Sequence, residues 1–225
     1  MRQPSNHKKR ALIFANGTQI DLPAVAAMIA PDDVLIAADG GLRFLDALER
    51  APDVLIGDMD SIDSSRLEAL RAAGTRIEQV PAHKDETDLE LAVAAALSQD
   101  CDEVLIVGAL GGRLDMTLAN IFLLLQMGPG VDARLEDGLE EVFLIHGDAQ
   151  GAERVIDGRA GERVSLLALG GPAAGITTSG LEYPLRGETL YPDRARGVSN
   201  VMQGERAGIR LQSGTLICIH TRKTD

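Results

Sequence analysis

The sequence predicts an α/β domain followed by an all-β one: a three-layer N-terminal unit on a mostly parallel sheet over residues 1–147, then a β-sandwich over residues 148–225. Three observations carry this expectation. Short apolar, β-branched runs alternate with helical stretches as far as about residue 147, the pattern of buried parallel strands joined by crossover helices. From about residue 148 helical periodicity disappears and short strand-like runs alternate with Gly and Pro turns. Four strands of the first part end in acidic or glycine-rich turns, where open α/β sheets hold their ligands.

Residues 11–15 (ALIFA) read as a buried strand closed by Asn16-Gly17, and residues 22–30 as a helix started near Asp21 with Pro23 in its first turn. Residues 34–38 (VLIAA) form the second strand and run into Asp39-Gly40-Gly41. Two glycines let backbone approach a ligand, and the helix over residues 42–49 aims its N–H groups at the same place; the other reading is a plain strand-to-helix turn. The run Pro52-Asp53-Val54-Leu55-Ile56-Gly57-Asp58-Met59-Asp60-Ser61 organises the chain. Its first half is a fully buried strand, and its second half sets Asp58 and Asp60 just past the strand's carboxyl end. Alternate residues of an extended chain point the same way, so the two carboxylates converge on one cation. A solvated Asp-rich turn is the bland alternative for an isolated pair of this kind.

A helix follows over residues 64–73, with Asp63 as N-cap and Gly74 at its end, and residues 76–80 form another strand ended by Pro81. In His83-Lys84-Asp85-Glu86-Thr87-Asp88-Leu89-Glu90, Thr87 and Glu90 have capping-box spacing, so a loop enters an Ala-rich helix there. Asp85 and Asp88 share a face if the helix begins that early, although helix-dipole complementarity alone also accounts for acidity at this place. The strand over residues 103–107 runs into Gly108 and then Gly111-Gly112-Arg113-Leu114-Asp115 before an apolar helix through Met127. Arg113 suits bidentate phosphate contact, and Asp115 either orients it or reaches a metal; a surface Arg–Asp pair is the alternative. Residues 131–135 and 141–145 read as further strands, and ERVIDG, ERVSLLAL, GITTSGLEYPL, ETLYP, SNVM, AGIRLQSG and TLICIHTR then follow at sandwich spacing, with no helix among them. The boundary falls near Gly147-Asp148.

A formal net charge of −12 argues against nucleic-acid partners and against anionic membrane surfaces. It repels a nucleoside triphosphate as well, so phosphate binding requires divalent metal and a few placed basic residues. Cys101 and Cys218 fall in no zinc or redox spacing and read as buried thiols of a reducing compartment. The basic start MRQPSNHKKR lacks the core of a signal peptide, and no apolar run has membrane-spanning length, so the expected location is cytoplasmic. Neither a dinucleotide fingerprint nor a P-loop occurs. Taken together, the four turns describe a Mg-nucleotide cleft: carboxylates for metal, glycines for phosphate approach, Lys84 and Arg113 for the anionic charge. No nucleophile–base pair stands at them, which points to direct transfer without a covalent enzyme intermediate.

In their fixed order, Ala38-Asp39-Gly40-Gly41, Pro52-Asp53-x-x-Ile56-Gly57-Asp58-Met59-Asp60-Ser61, Lys84-Asp85-Glu86-Thr87-Asp88-Leu89-Glu90-Leu91 and Gly111-Gly112-Arg113-Leu114-Asp115 with Leu118-Ala119-Asn120 resemble the thiamin pyrophosphokinase (thiamin diphosphokinase) family. The resemblance runs over essentially the whole chain. It implies an α/β ATP domain, a C-terminal β-sandwich, a homodimer, and Mg²⁺-dependent transfer of a diphosphoryl group from ATP to the thiamin hydroxyl, leaving AMP. It implies that Asp58, Asp60, Asp85 and Asp88 hold metal and phosphates and that Arg113 and Asp115 complete the catalytic set. Asp39, Gly40, Gly41, Lys84, Gly111, Gly112 and Arg113 then bind the nucleotide. Ser199-Asn200 matches the family's Ser-Asn pair, which helps bind thiamin near the dimer interface.

Two departures stand out: Met116 follows Asp115 where many members have His, and the chain has no Trp to stack on the pyrimidine, leaving Tyr183 and Tyr191. The alternatives are diphosphate transfer to another hydroxymethyl heterocycle of pterin type, or a non-catalytic nucleotide-sensing module. Retention of every acidic motif speaks against sensing alone, and the charge of −12 favours a cationic thiazolium over a neutral pterin. The hydroxyl and amide of Ser199-Asn200 are able to satisfy an aminopyrimidine edge.

Overall fold

The apolar runs form strands where the sequence places them, in a computed structural model that describes residues 8–18, 20–128 and 130–223. Residues 1–7, which hold much of the basic opening stretch, lie outside the described residues. In the first unit β1 (Arg10–Phe14), α1 (Leu22–Met28), β2 (Val34–Ala38), α2 (Leu42–Ala47), β3 (Val54–Gly57), α3 (Ser64–Ala72), β4 (Arg76–Gln79), α4 (Asp88–Leu97), β5 (Glu103–Val107), α5 (Leu114–Leu123) and β6 (Asp132–Glu136) alternate along the chain. Their strands lie in the order β6-β5-β1-β2-β3-β4, every pair parallel. Ala11, Leu12, Ile13 and Phe14 are all 0% exposed although successive strand residues face opposite ways, so both faces of the sheet are covered. The chain runs outward from β1 to β4 and returns to β1's other side at β5, which makes the gap between β1 and β5 the topological switch point where such sheets bind ligands.

Local chemistry sets the helix ends. The Asp21 side chain accepts from the Ala24 N–H at 3.1 Å, and Thr87 accepts from the Glu90 N–H at 3.1 Å. Only half of the expected capping box forms there, because the Glu90 carboxylate accepts from Gln126 instead. Asp63 occupies its N-cap position without a side-chain hydrogen bond, and Gly74 follows the Ala73 C-cap with φ +94°. The helix expected over residues 42–49 begins as a 3-10 turn at Asp39–Gly41 and ends at Ala47.

The second unit starts at Leu139, earlier than the boundary expected from the sequence. The reason is β7 (Glu140–Gly147), whose eight residues all pair with β14 (Gly214–Thr221), from Glu140↔Thr221 to Gly147↔Gly214. Between them run β8 (Ala152–Asp157), β9 (Arg163–Ala168), β10 (Ala173–Ser179), β11 (Arg186–Leu190), β12 (Asn200–Val201) and β13 (Arg206–Leu211). Two antiparallel sheets result, β7-β14-β9-β12 and β11-β10-β13-β8. Inward residues of both, among them Phe143, Val164, Leu216 and Cys218 from one and Ile156, Ile176 and Ile209 from the other, form a single core. No helix occurs in this unit among its described residues.

A buried ion pair lies beside that core. His220 on β14 is 0% exposed, and its Nε2 lies 2.8 Å from Oε2 of Glu162, itself 4% exposed. Burial opposes charge on the ring, but Glu141 and Glu162, against an opposing Arg222, leave the imidazole raised above its ordinary 6.5. Burial likewise opposes charge on Glu162, yet the Arg159 N–H and His220 hold it below its ordinary 4.5. The raised His favours the fold below 6.5 and loses that contribution as pH rises through its folded value; the depressed Glu contributes above 4.5 and loses it as pH falls. The unit's melting temperature is therefore expected to be highest between those limits. Relative to His220→Gln, the wild type should lose part of its advantage on the alkaline side, read as a narrowing difference in melting temperature by pH-resolved calorimetry; a constant difference across pH excludes the charged pair.

Candidate active site

The carboxyl ends of β1, β2, β3 and β5 face one cleft of about 590 Å³. Asn16, Asp39, Asp58, Lys84, Asp88 and Arg113 contribute polar side chains to its wall, and Gly111 and Gly112 contribute backbone. Both glycines are left-handed, φ +74° and +69°, a conformation a side chain would strain. The Thr117 hydroxyl fixes this turn by donating to the Gly111 carbonyl at 3.0 Å, and Asn120 Nδ2 fixes its approach by donating to Ala109 at 2.8 Å. Neither Thr117 nor Asn120 has a role assigned from the sequence, since both act through backbone partners that spacing does not reveal.

Oxygens of Asp39, Asp58 and Asp60 come within 4.8 Å of one another. The convergence has a different origin from the one the sequence suggests. Met59 is left-handed, φ +65°, so Asp58 and Asp60 meet across a turn and not along extended chain, with the Asp60 N–H donating to Asp58 Oδ1 at 3.1 Å. A hydrogen bond with Asp58 and then its charge, with Asp39 and Asp88 adding to it, raise the Asp60 carboxyl above its ordinary range. Three converging carboxylates are an all-oxygen donor set suited to a hard divalent cation, so the residues present fit magnesium.

The other expected ligands are placed differently. Asp88 is the first residue of α4 and lines the cleft, but its Oδ1 is held by Lys84 Nζ at 2.8 Å. Asp85 precedes the helix, so the shared face does not form; its side chain is exposed and outside the cluster. Asp39, expected on the nucleotide side, joins the acidic group because β2 and β3 are neighbours and both strands end there. Gly40 and Gly41 turn toward β1: a Cβ on Gly41 would sit 1.9 Å from the Phe14 carbonyl oxygen, so this glycine is required by packing. Arg113 and Asp115 form a two-pronged pair, Nε–Oδ1 3.1 Å and Nη2–Oδ2 2.5 Å, with side chains 75% and 65% exposed. Each holds the other charged, raising the guanidinium and lowering the carboxyl, and the exposed Arg remains able to exchange its partner for a phosphate.

In the second unit Ser199 is exposed and left-handed, φ +59°, with its N–H donating to Ser165 Oγ at 3.0 Å. Asn200 is 7% exposed. Its Oδ1 accepts from the N–H groups of Tyr183 at 3.0 Å and Val201 at 2.9 Å, and its Nδ2 donates to the Tyr183 carbonyl at 2.7 Å. Three of its four hydrogen-bonding valences are thereby occupied within the unit.

The family model for the thiamin pyrophosphokinase catalytic domain matches residues 25–134, and that for the thiamin pyrophosphokinase vitamin B1 binding domain matches residues 153–216. The chain is 27% identical over 214 residues to thiamine pyrophosphokinase of Bacillus subtilis (strain 168), covering 95% of this chain and 98% of that one. It is 30% identical over 180 residues to thiamine pyrophosphokinase 1 of Oryza sativa subsp. japonica, 76% of this chain and 67% of that one. A crystal structure of the Bacillus subtilis thiamine pyrophosphokinase superposes with a TM-score of 0.84 at 26% identity, over 96% of this chain and 100% of that one. The yeast enzyme's structure, with TM-score 0.76 over 97% and 87% of the two chains, shares the fold at 16% identity. The chain belongs to the thiamin pyrophosphokinase family.

Proposed function

We propose that the chain transfers the terminal diphosphoryl group of ATP to the hydroxyl of thiamin, releasing AMP and thiamin diphosphate. The observation that supports this most is the meeting of Asp39, Asp58 and Asp60 at the mouth of a cleft whose other walls carry a glycine turn, Lys84 and Arg113. Asp39, Asp58 and Asp60 would hold magnesium, and Asp85 before α4 and Asp88 at its first position would serve metal and phosphates. Magnesium bound there supplies charge neutralisation for the phosphoryl oxygens.

The protein's own residues do the remaining work by position. The left-handed Gly111-Gly112 turn presents backbone to the phosphate chain, Lys84 reaches it from the loop before α4, and Arg113 leaves Asp115 for an oxygen of the migrating group. The acceptor oxygen bonds to the β-phosphorus as the bridge to the α-phosphate breaks, and the leaving group is AMP. Asp39, Gly40 and Gly41 contribute to the nucleotide side, the glycines by letting their turn pack against β1. Ser199, with Asn200 behind it, serves the acceptor. The reading includes a cytoplasmic homodimer without nucleic-acid or membrane partners. Among the described residues no helix is long and apolar enough to cross a membrane, and Leu114, Leu118, Phe122 and Leu125 make an exposed apolar stripe along α5 and the turn after it, suited to a second copy.

The test is incubation with Mg-ATP and either thiamin or a hydroxymethylpterin, followed by separation of nucleotides and products. AMP formed in step with thiamin diphosphate is expected. Stoichiometric ADP would make the enzyme a monophosphoryl kinase, turnover with the pterin alone would transfer the acceptor, and ATP binding without turnover would leave a sensing module.

A further inference from the structure

Asn120 on α5 is 8% exposed, yet it lines the cleft. Its amide has one settled end and one open end. Nδ2 donates to the Ala109 carbonyl at 2.8 Å, and because a carbonyl only accepts, this contact fixes which end of the amide is which. Oδ1 is the free end, and no described residue donates to it. Unlike the sealed Gln99 Nε2 and His220 Nδ1, it still meets solvent, at a side chain whose open side is the cleft. An acceptor buried to this degree costs free energy unless a ligand supplies its donor.

The surroundings say what kind of ligand that is. Ala15 follows β1, Gly108 and Ala109 follow β5, Leu89 stands in the first turn of α4, and Met116 lies one turn before Asn120 on α5, all of them on the cleft wall. None of these residues carries a charge. The Ala15 N–H donates to Val107 at 2.8 Å and the Gly17 N–H to Gly108 at 2.7 Å, which joins the ends of β1 and β5 into a floor of small residues. The converging acids belong to β2 and β3, two and three strands from β5, or about 10–14 Å at the usual strand spacing. A nucleotide is built the same way, with its charge at the phosphate end and a flat, uncharged heterocycle at the other.

We infer that this uncharged end of the cleft holds the nucleobase of the phosphoryl donor, with Asn120 Oδ1 accepting from the exocyclic amino group of adenine, so that Asn120 selects the donor's base. The inference rests on ATP as the donor, proposed above, and deepens it. Small residues leave room for a flat ring, and the unbranched, polarizable Met116 thioether packs well on an aromatic face in a chain that has no Trp to do so. A purine with a ring carbonyl in place of the amino group would set two acceptors against each other. Thiamin's aminopyrimidine carries an amino group too, but the Gly111-Gly112 turn suited to phosphates follows directly on Ala109, which favours adenine.

Equilibrium binding by calorimetry, without turnover, tests this. With magnesium present, the wild type should bind ADP roughly tenfold more tightly than inosine diphosphate or purine riboside diphosphate, the second of which simply lacks the amino group. Asn120→Leu should bring ADP down to the level of the other two. Freeing the Ala109 carbonyl in that variant loosens the glycine turn for all three nucleotides alike, so the ratio is the readout: a purely structural role would leave it at the wild-type value. If Asn120→Leu fails to fold, the three nucleotides on the wild type still decide, and equal binding overturns the inference. A ratio that survives Asn120→Leu overturns it as well; loss of thiamin affinity in that variant with ADP selectivity intact would give the slot to the acceptor. Failure of all three nucleotides to bind would instead overturn the nucleotide reading of the cleft, and the inference with it.

Discussion

Replacing Asp58 by Asn is expected to lower magnesium-dependent turnover by roughly a thousandfold, about 4 kcal/mol in the barrier, while the protein stays folded. The side chain is half-buried at the end of β3, and its structural duty is to accept the Asp60 N–H, which an amide oxygen also does. The loss is thus confined to charge: one of three converging carboxylates becomes neutral. Steady-state rates at fixed Mg-ATP, with a thermal melt alongside, decide the matter. Turnover near wild type at ordinary magnesium would remove the metal assignment, and a collapsed melt would reassign Asp58 to the fold.

Gly41→Ala should be the most damaging single methyl in the first unit. The added carbon would lie 1.9 Å from the Phe14 oxygen and 2.5 Å from its carbonyl carbon, both backbone atoms of the central strand. Neither is able to swing aside, so the turn that carries Asp39 must lift from β1. Overpacking of this kind costs about 3 kcal/mol, or roughly 6–12 °C in melting temperature for a chain of this size. Gly40→Ala is the control, because its added carbon meets the Asn16 side chain at 2.4 Å, which is free to rotate away. Calorimetry should find Gly41→Ala much less stable than Gly40→Ala; equal melting would show that the turn slides without cost.

The sequence was most readable where local chemistry decides. Runs such as ALIFA and VLIAA became strands because apolar β-branched residues suit a sheet buried on both faces. Asp21 and Thr87 start helices because their side chains reach an N–H three residues on. Legibility failed where a residue's role depends on a distant partner or on one unusual dihedral. Nothing in the pattern Asp-x-Asp distinguishes extended chain from the turn made by a left-handed Met59, and nothing local says that Asp39 will meet Asp58 instead of Asp85. The strand of residues 140–147 looked like a continuation of the α/β part because its pairing partner lies some seventy residues later. The partners of the Asn200 amide were not legible, because they appear only once the backbone of Tyr183 is in place.

The pairings of β1 and β7 also govern when each unit is able to form. β1 lies between β2 and β5, joined by Ala11↔Val34 on one side and Ala11↔Val104 on the other, so its second edge stays open until residues far down the chain exist. β7 waits longer still, for the closing strand β14, which also carries β9. Such distant closures make for slow folding, since loop entropy must be lost before pairing repays it. During synthesis the nucleotide cleft therefore cannot assemble from the amino end alone, and a chain cut before Gly214 leaves both β7 and β9 without their shared neighbour, exposing two strand edges able to recruit other chains.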